Sequence, residues 1–227
     1  MATHIRLLSP EVVGQIAAGE VVERPSAAIK ELVENSMDAG ATSIAVEIRD
    51  GGLTSFRVVD NGSGIQPSDI RLAFARHATS KISQADDLVG VRTLGFRGEA
   101  LASIAAVAKV TCTTRVRGAD CGLSVQNNGG EISELREAPC PEGTSFLVKD
   151  LFFNAPVRRK FLKKPSTETG YVSDLMLRFI LSHPQISFRY IADGKTVYFS
   201  PGDGKLESAV MSIYGLSALE KLKHVSG

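Results

Sequence analysis

The sequence predicts an α+β fold, a two-layer α/β sandwich in which helices cover one face of a mostly antiparallel sheet. Two pairs of extended runs are separated only by short turn signals, as expected of β-hairpins. Helical segments lie among these runs, but without the regular β-α-β alternation of parallel sheets. The 227 residues contain no internal repeat or low-complexity tract, and they suffice for one large domain or two small ones.

A first helix is predicted to open at Pro25 or Ser26 and to continue through Met37. Proline is favoured in the first helical turn and serine at the N-cap. Gly40 predicts where the helix ends, since glycine commonly follows a helix C-terminus. The apolar residues recur on one face with the helical period: Ile29, Leu32, Val33 and Met37.

Two strands follow this helix, TSIAVEIRD (42–50) and LTSFRVVD (53–60), and Gly51-Gly52 joins them as a hairpin. The turn cluster DNGSGIQPSDI (60–70) then leads into a short helix that is predicted to be capped near Ser68. Residues 75–97 are polar and weakly periodic, and a segment of this length without clear structure is typical of a lid.

The second half of the chain begins with an Ala-rich helix, GEALASIAAVA (98–108). Three short strands are predicted after it: KVTCTTRV (109–116), GLSVQN (122–127) and TSFLVKDLF (144–152). A longer helix is predicted from about Thr167 to Leu181. The last two strands, ISFRYIA and TVYFS, meet across Asp193-Gly194, which is a hairpin signal.

Composition and charge exclude several function classes. The formal net charge is +1, so any contact with DNA must come from a local basic patch. Three cysteines without C-x-x-C spacing argue against a disulfide framework or a zinc site and favour a reducing, cytoplasmic location. No apolar run approaches the roughly 20 residues that span a bilayer, and no signal peptide is recognisable. We therefore expect a soluble, intracellular protein without membrane contact.

The helix segment KELVEN carries a carboxylate and an amide one turn apart, Glu31 and Asn35. At about 100° per residue, Asn35 and Asp38 both fall within about 40° of Glu31, roughly opposite the apolar face. One interpretation is a solvated polar face. The other is a site in which Glu31 positions a water while Asn35 offers an oxygen to Mg²⁺, a cation that takes few protein ligands. Glu34 lies off this stripe.

The segment VVDNGSGI places Asp60 at a strand end, before Gly62 and Gly64. A tight turn is one interpretation, because Asp-Asn-Gly is a strong turn signal. A plain hairpin fits poorly, however, since the chain does not return as a strand. A buried Asp60 carboxylate could instead accept the exocyclic amine of adenine, and the glycines would let the base approach the backbone.

Two further segments have side chains and backbone groups suited to phosphate. In TLGFRGEALASI, Gly95 and Gly98 precede a helix, where unpaired N–H groups and the helix dipole favour anions. In ATSK, Thr79, Ser80 and Lys81 add two hydroxyls and an ammonium; ordinary loop polarity is the alternative. The chain has no G-x-x-x-x-G-K-[ST] motif, so this is not a P-loop.

Two weaker features complete the set of candidates. Gly143-Thr144 begins a strand, and the Thr144 hydroxyl could join an Asp60–adenine network through water. The run RRKFLKK carries five basic residues, which indicate either a solvated face or contact with a phosphate backbone: Arg158, Arg159, Lys160, Lys163 and Lys164.

Taken together and in this order, the motifs E-x-x-x-N, D-x-G-x-G, G-x-x-G and a late G-T resemble the GHKL-type ATP-binding fold. Gyrase B subunits, heat-shock chaperones, histidine kinases and MutL proteins share that fold. The detailed sequence is most similar to the MutL family of DNA mismatch repair proteins, and the resemblance covers essentially the whole chain. It is carried by these phrases: IAAGEVVERPSAAIKELVENSMDAGAT, DNGSGI, ARHATSKI, TLGFRGEALASI and DLFFNAPVRRKFLK.

The resemblance implies a role for each matching position. Glu31 would be the general base or water-orienting residue, Asn35 the Mg²⁺ ligand and Asp60 the adenine reader. Thr144 would support the adenine end, and residues 158–160 would be available to DNA. The nucleotide, and its phosphates especially, would be contacted by Thr79, Ser80, Lys81, Gly95, Phe96, Arg97 and Gly98.

The family also implies a domain plan and a mode of action. Residues 1–215 would form the ATP-binding domain, with an N-terminal arm (1–24) and a lid (75–97), and 216–227 would begin a second domain. ATP with Mg²⁺ would order arm and lid and drive homodimerisation, which controls engagement of DNA, of a MutS-type mismatch-recognition protein and of downstream repair enzymes. The sequence resembles bacterial members, which implies a location in the bacterial cytoplasm, with action at the nucleoid.

Two departures from the family pattern bear on activity. Ala155 replaces the Thr of the common N-T-P motif, which we expect to be harmless. The family's second domain carries a phosphate-contacting lysine, and this chain stops where that domain would begin, so we expect ATP binding with weak hydrolysis. The rival interpretations are a kinase-type domain that phosphorylates a histidine, and a DNA-binding module for which nucleotide is irrelevant.

Overall fold

The computed structural model of this chain describes residues 21–76, 78 and 99–219. Within them the helices are α1 (Pro25–Asp38), α2 (Ala100–Val107), α3 (Pro156–Phe161), α4 (Pro165–Ser182), α5 (Leu206–Tyr214) and α6 (Leu216–Leu219). Two single 3-10 turns span Asp50–Gly52 and Leu72–Phe74. None of the helices in these ranges has the length and apolarity needed to cross a bilayer.

The strands of the described residues join in one nine-stranded sheet. They are β1 (Ser43–Arg49), β2 (Ser55–Asp60), β3 (Lys109–Arg115), β4 (Gly122–Asn128), β5 (Glu131–Ile132), β6 (Arg136–Ala138), β7 (Gly143–Lys149), β8 (Ser187–Ala192) and β9 (Lys195–Ser200). The spatial order is β5-β4-β3-β7-β2-β1-β8-β9, with β6 also paired to β4. Every pair is antiparallel except β1 with β8, so the prediction of a mostly antiparallel sheet is confirmed.

Alternate residues of each strand point to opposite faces of the sheet. One of these faces is buried and the other is not. The buried side chains form rows across neighbouring strands. One row contains Cys112, Phe146, Val58, Val46 and Tyr190. The next row towards the ends of β2 and β3 contains Thr114, Thr144, Asp60, Ile44 and Phe188. This second row is polar at one end, and the candidate site lies there.

Helices cover the buried face. Ile29, Leu32 and Val33 of α1, the apolar side of α2, and Val172 and Met176 of α4 belong to the same hydrophobic cluster as the inward strand residues. The helical period of α1 therefore has its predicted consequence, since its apolar side packs on the sheet. The two-layer arrangement predicted from the sequence is confirmed.

The ends of α1 follow the sequence with one correction. Pro25 occupies the first helical turn, as predicted, but Arg24 is the N-cap residue and Ser26 lies inside the helix. Gly40 follows the C-terminus with φ of +71°, and its N–H donates to the Met37 carbonyl at 2.9 Å. Glycine adopts this left-handed conformation without steric cost, which is why the helix ends here.

The hairpins are also as predicted. Asp193 and Gly194 both have positive φ, 49° and 78°, the geometry of the two-residue turn that suits the twist of β8 and β9. A short helix follows the turn cluster as predicted, as the 3-10 turn Leu72–Phe74, but the predicted cap at Ser68 is wrong, since Arg71 is the N-cap residue. The Ser68 hydroxyl donates to Asp69 rather than capping a helix, and the chain makes turns and then one 3-10 turn. The short strands β5 and β6 were not predicted, because two or three residues carry no periodic signal.

Candidate functional site

Asp60 is a buried carboxylate at the end of β2, with 7% of its surface exposed. Its Oδ2 accepts a hydrogen bond from the Ser36 hydroxyl at 2.8 Å. Its Oδ1 accepts from the backbone N–H groups of Gly62 at 2.9 Å and Thr144 at 3.2 Å. Burial, the largest influence, raises the pKa of Asp60, and these three hydrogen bonds oppose the rise. The sequence had singled out Asp60, and the structure surrounds it with donors.

The turn after Asp60 is fixed to its surroundings rather than hairpin-like. The Asn61 side-chain oxygen accepts from the N–H groups of Thr42 and Ser43, both at 2.9 Å, which fastens the turn to the start of β1. Gly64 has φ of +73°, and a Cβ there would collide with the Arg115 carbonyl oxygen. Glycine is therefore required at position 64 both by its conformation and by the close approach of β3.

Two threonines extend the polar end of the sheet. Thr114 is 2% exposed and its hydroxyl lies 3.1 Å from the Thr144 hydroxyl. The same Thr114 oxygen accepts from the Ile65 N–H at 2.9 Å and donates to the Gly143 carbonyl at 3.0 Å. The Thr144 hydroxyl was predicted to join an Asp60–adenine network through water, and that role stays a prediction; it is the backbone N–H of Thr144 that donates to Asp60. Thr114 was missed, although its inward position in the alternating strand KVTCTTRV was a usable signal.

The helix α1 contributes its polar side to the same end of the sheet. Ser36 is buried and directly follows Asn35, so its bond to Asp60 places Asn35 near the end of β2. Glu31 and Asn35 are both half-buried on α1. Sequence reasoning did not find Ser36, because a serine within a helix has no distinctive pattern.

The two glutamates of KELVEN have different surroundings. Glu34 is 7% exposed, and its carboxylate is bound by the Lys30 ammonium at 2.7 and 2.8 Å, one helical turn away. A carboxylate engaged in this way is poorly suited to activate a water. The structure therefore argues against Glu34 as the residue that activates a water, and the catalytic role of Glu31 stays a prediction.

The candidate side chains could hold Mg²⁺ only together with oxygen atoms of a bound nucleotide and of water. Among the described residues, no three His, Cys, Asp or Glu side chains lie together as a ready-made metal site. A Mg²⁺ held by Asn35 would take most of its oxygens from phosphates and water, as Mg²⁺ commonly does.

Several predicted positions lie outside the described residues. These are the seven phosphate-side candidates, Thr79, Ser80, Lys81, Gly95, Phe96, Arg97 and Gly98, together with most of the arm and lid segments. The helix predicted to follow the glycine loop is present as α2, which begins at Ala100. The Asn154 side-chain amide donates to the Ala106 carbonyl at 2.9 Å near the other end of α2.

A cleft of about 300 Å³ opens beside Thr114. Ile65, Pro67, Thr114 and Leu123 line it, together with the residues that connect β3 to β4. Asp60, Glu31 and Asn35 do not line this cleft, so it does not by itself define where a ligand would bind.

The basic run 158–164 is separate from this network. It follows the end of β7 that lies away from Thr144. Its first residues belong to α3, and Lys163 and Lys164 lie between α3 and α4. The Arg158 guanidinium lies 6.0 Å from the centre of the Phe152 ring, and the backbone N–H of Lys163 donates to Glu168 at 2.9 Å. The exposed members are Arg159, Lys160, Lys163 and Lys164.

A family profile described as "Histidine kinase-, DNA gyrase B-, and HSP90-like ATPase" matches residues 23–146. The DNA mismatch repair protein MutL of Thermoanaerobacter pseudethanolicus is 47% identical over 222 residues, which is 98% of this chain and 36% of that protein. The Staphylococcus aureus (strain Newman) protein of the same name is 48% identical over 223 residues, covering 98% of this chain and 33% of the relative. The chain thus spans about a third of the length of these curated relatives.

Solved structures agree with the sequence relatives. The Aquifex aeolicus MutL ATPase domain complexed with ADP superimposes with a TM-score of 0.72 at 34% identity, covering 86% of this chain and 70% of that one. The N-terminal domain of a DNA repair protein gives a TM-score of 0.79 at 28% identity, covering 94% and 63%. The chain therefore belongs to the histidine kinase-, DNA gyrase B- and HSP90-like ATPase family, and within that family it groups with the MutL DNA mismatch repair proteins.

Proposed function

We propose that this chain is the N-terminal ATP-binding and slowly hydrolysing module of a MutL-like DNA mismatch repair protein. The observation that carries the proposal is the buried Asp60 carboxylate, held by three donors against the polar side of α1. The similar Aquifex aeolicus MutL ATPase domain was solved as a complex with ADP, which supports a nucleotide ligand here.

Asp60 would select adenine. The exocyclic amine of adenine donates a hydrogen bond, and the ionised carboxylate only accepts. Guanine presents an oxygen at the corresponding position, which would face the carboxylate without a proton between them. Gly62 and Gly64 would let the base lie against the backbone, and the threonine pair, Thr114 and Thr144, would hold a bridging water at the adenine end.

The phosphates would lie towards α1 and α2. Asn35 would ligate Mg²⁺, which when bound neutralises phosphate charge and stabilises the charge that develops in phosphoryl transfer. We assign the remaining phosphate contacts to the following residues: Thr79, Ser80, Lys81, Gly95, Phe96, Arg97 and Gly98. The N-terminus of α2 would add its backbone N–H groups.

Glu31 would orient and deprotonate the attacking water. The water oxygen forms a bond to the γ-phosphorus as the bond from that phosphorus to the β–γ bridging oxygen breaks, and the proton passes to the Glu31 carboxylate. ADP and inorganic phosphate are released. A kinase-type domain that transfers phosphate to a histidine does not need this glutamate, so Glu31 favours water as the acceptor.

ATP would act as a switch. Binding would order the arm (1–24) and the lid (75–97) and favour a homodimer, because a ligand shifts an equilibrium only by its higher affinity for one state. The dimer would engage DNA, a MutS-type mismatch-recognition protein and downstream repair enzymes in the bacterial cytoplasm. The basic run, Arg158 to Lys164, would contribute weak backbone contacts with DNA.

The domain division proposed here is 1–215 for ATP binding and 216–227 for the start of a second domain. In the family, the second domain supplies a phosphate-contacting lysine.

Calorimetry tests the proposal directly. Titration with a non-hydrolysable ATP analogue and Mg²⁺ should give saturable binding, and the matching GTP analogue should bind at least about 10-fold more weakly, the effect of one charged hydrogen bond. A phosphate-release assay should show slow turnover that EDTA abolishes. Equal affinity for the two analogues would refute the assignment of Asp60, and absence of binding would leave the DNA-binding module as the better interpretation.

A further inference from the structure

The sheet has a second face, opposite the helices, on which basic residues are concentrated. The strand registers place these exposed side chains on it: Arg49, Arg57, Lys109, Arg136, Lys149 and Arg189. Among the described residues, the acidic side chains of the same strand positions are Glu47 and Glu131. Since the whole chain carries a net charge of only +1, this face is far more positive than the rest of the molecule.

Four of these basic residues have no acidic partner within the described part of the chain. Lys109 is bound to Asp150 at 2.9 Å, and Arg49 lies 3.8 Å from Glu47. The other four, Arg57, Arg136, Lys149 and Arg189, take part in no ion pair of the described residues. The Nε of Arg57 donates to the neutral Ser145 hydroxyl at 2.9 Å, which holds its guanidinium across the sheet surface. Their charge is therefore available to a ligand.

The spacing of the basic residues suits an extended anionic ligand. Arg189 on β8 and Arg136 on β6 are separated by six strand spacings in the sheet order, since β6 pairs with β4. At about 4.8 Å per strand, the basic face extends for roughly 29 Å, close to the length of one turn of a nucleic-acid duplex, about 34 Å. Arg57 and Lys149 lie between these two ends.

The same face has few groups that would hold a single strand. Proteins that bind single-stranded nucleic acid stack its bases on aromatic side chains. In the described strands, Phe199, which pairs with Arg189, is the aromatic residue on this face. The other central positions are short or aliphatic, such as Thr111, Ser145 and Leu147.

We propose that the outward face of the sheet binds the phosphate backbone of duplex nucleic acid without reading its base sequence. The proposal deepens the DNA engagement proposed above by naming its surface, which differs from the basic run 158–164. It requires no nucleotide, because the residues that carry it are exposed in the structure described here.

Fluorescence anisotropy with a labelled duplex of about 30 base pairs tests the proposal over a series of salt concentrations, without ATP or Mg²⁺. The test variant is R57Q/K149Q/R189Q. The control, R178Q/K195Q/K205Q, removes the same charge elsewhere: Arg178 lies on α4, Lys205 precedes α5, and Lys195 pairs with Ala192, whose side chain is on the helix side. Circular dichroism confirms that each variant is folded, and the three single substitutions serve if the triple variant is not.

Each phosphate contact contributes about −0.9 to the slope of log affinity against log salt, so the test variant should lose about 2 to 3 from that slope and at least about 10-fold in affinity at low salt. Each single variant should lose about 0.9. The control should keep the slope of the unmodified chain. An unchanged slope in the test variant, an equal loss in the control, or tighter binding of an oligo-dT single strand of the same length would overturn the proposal. ATP-analogue calorimetry on the same samples reports separately on the ATPase proposal.

Discussion

The Ser36 hydroxyl donates a 2.8 Å hydrogen bond to Oδ2 of Asp60, and so joins the helix that carries Glu31 and Asn35 to the strand that ends at the proposed adenine reader. The same hydroxyl lies 3.1 Å from the Leu32 carbonyl within α1. The bond crosses from the helix layer to the sheet. It therefore fixes the distance between the two ends of the proposed site, the adenine end and the phosphate end.

Ser36→Ala should lower both stability and ATP affinity. The substitution leaves one oxygen of a buried carboxylate without its donor, which costs about 1–3 kcal/mol. It also removes one of the interactions that oppose the rise in the pKa of Asp60. Urea unfolding measures the first effect and calorimetry the second. Ser212→Ala is a suitable control, because that half-buried serine donates only to a carbonyl of its own helix, and it should leave ATP affinity unchanged.

Asp60→Asn should separate folding from adenine recognition. An asparagine oxygen can still accept from Gly62 and Thr144, so the fold should be retained. Its NH₂ group, however, would face the adenine amine donor to donor. We expect ATP affinity to fall about 10- to 100-fold, the loss of one hydrogen bond to a charged group. Retained affinity with retained fold would contradict the role of Asp60.

The raised pKa of Asp60 predicts two effects of pH, and Asp60→Asn should abolish both. First, as the pH falls to the raised value, Asp60 takes up a proton and ATP affinity should decline. Second, at pH values between the ordinary pKa of 3.8 and the raised pKa, Asp60 is protonated more in the folded state than in the unfolded state. The contribution of Asp60 to stability should therefore decrease as the pH rises through this range. Calorimetry and urea unfolding at several pH values, for the parent chain and Asp60→Asn, measure both.

Glu31→Ala should retain ATP binding and abolish hydrolysis. Removing a general base typically costs 10²- to 10⁴-fold in rate, about enough to hide turnover that is already slow. Glu34→Gln is the matched control, because the Glu34 carboxylate is bound by Lys30. Since the Lys30 side chain is largely exposed, losing this ion pair should cost little stability. Phosphate release and calorimetry on both variants decide the matter. Equal loss of binding and hydrolysis in Glu31→Ala would contradict the assignment of Glu31 as the general base.

Asn35→Ala should lose the Mg²⁺ dependence of ATP-analogue binding. The amide oxygen is the one protein ligand proposed for the ion, and the other oxygens come from phosphate and water. Asp38→Asn provides the comparison, because it alters the exposed end of the same helix stripe and should leave the Mg²⁺ titration unchanged. A normal Mg²⁺ titration in Asn35→Ala would refute the proposed coordination.

Gly143→Ala should be strongly destabilising, by at least about 3 kcal/mol, because strain and steric overlap add. Gly143 has φ of +106°, and a Cβ there would collide with the backbone oxygen of Asp60. Gly118 is the control: its φ is +76° and a Cβ would meet nothing within 4 Å, so Gly118→Ala should cost only about 1–2 kcal/mol. Urea unfolding of both proteins compares them, and equal costs would mean that the contact with Asp60 is not tight.

Local chemistry in the sequence determined the elements that depend on near neighbours along the chain. The helical period of Ile29, Leu32 and Val33 predicted the buried side of α1, and Asp193-Gly194 predicted the turn between β8 and β9. The position of Asp60 at a strand end before two glycines followed from its neighbours as well. The resemblance to MutL proteins depended on the order of several such motifs, each of which was weak alone.

Only the tertiary structure decided which residues from distant segments meet. Ser36 reaches Asp60 across 24 residues and Thr114 reaches Thr144 across 30, and no periodic pattern encodes either contact. The parallel pairing of β1 with β8, and the common face shared by Arg57, Lys149 and Arg189, depend likewise on strand order and register. The physical reason is that local propensities set the conformation of a segment, whereas the burial of apolar surface from all segments together sets which strands become neighbours.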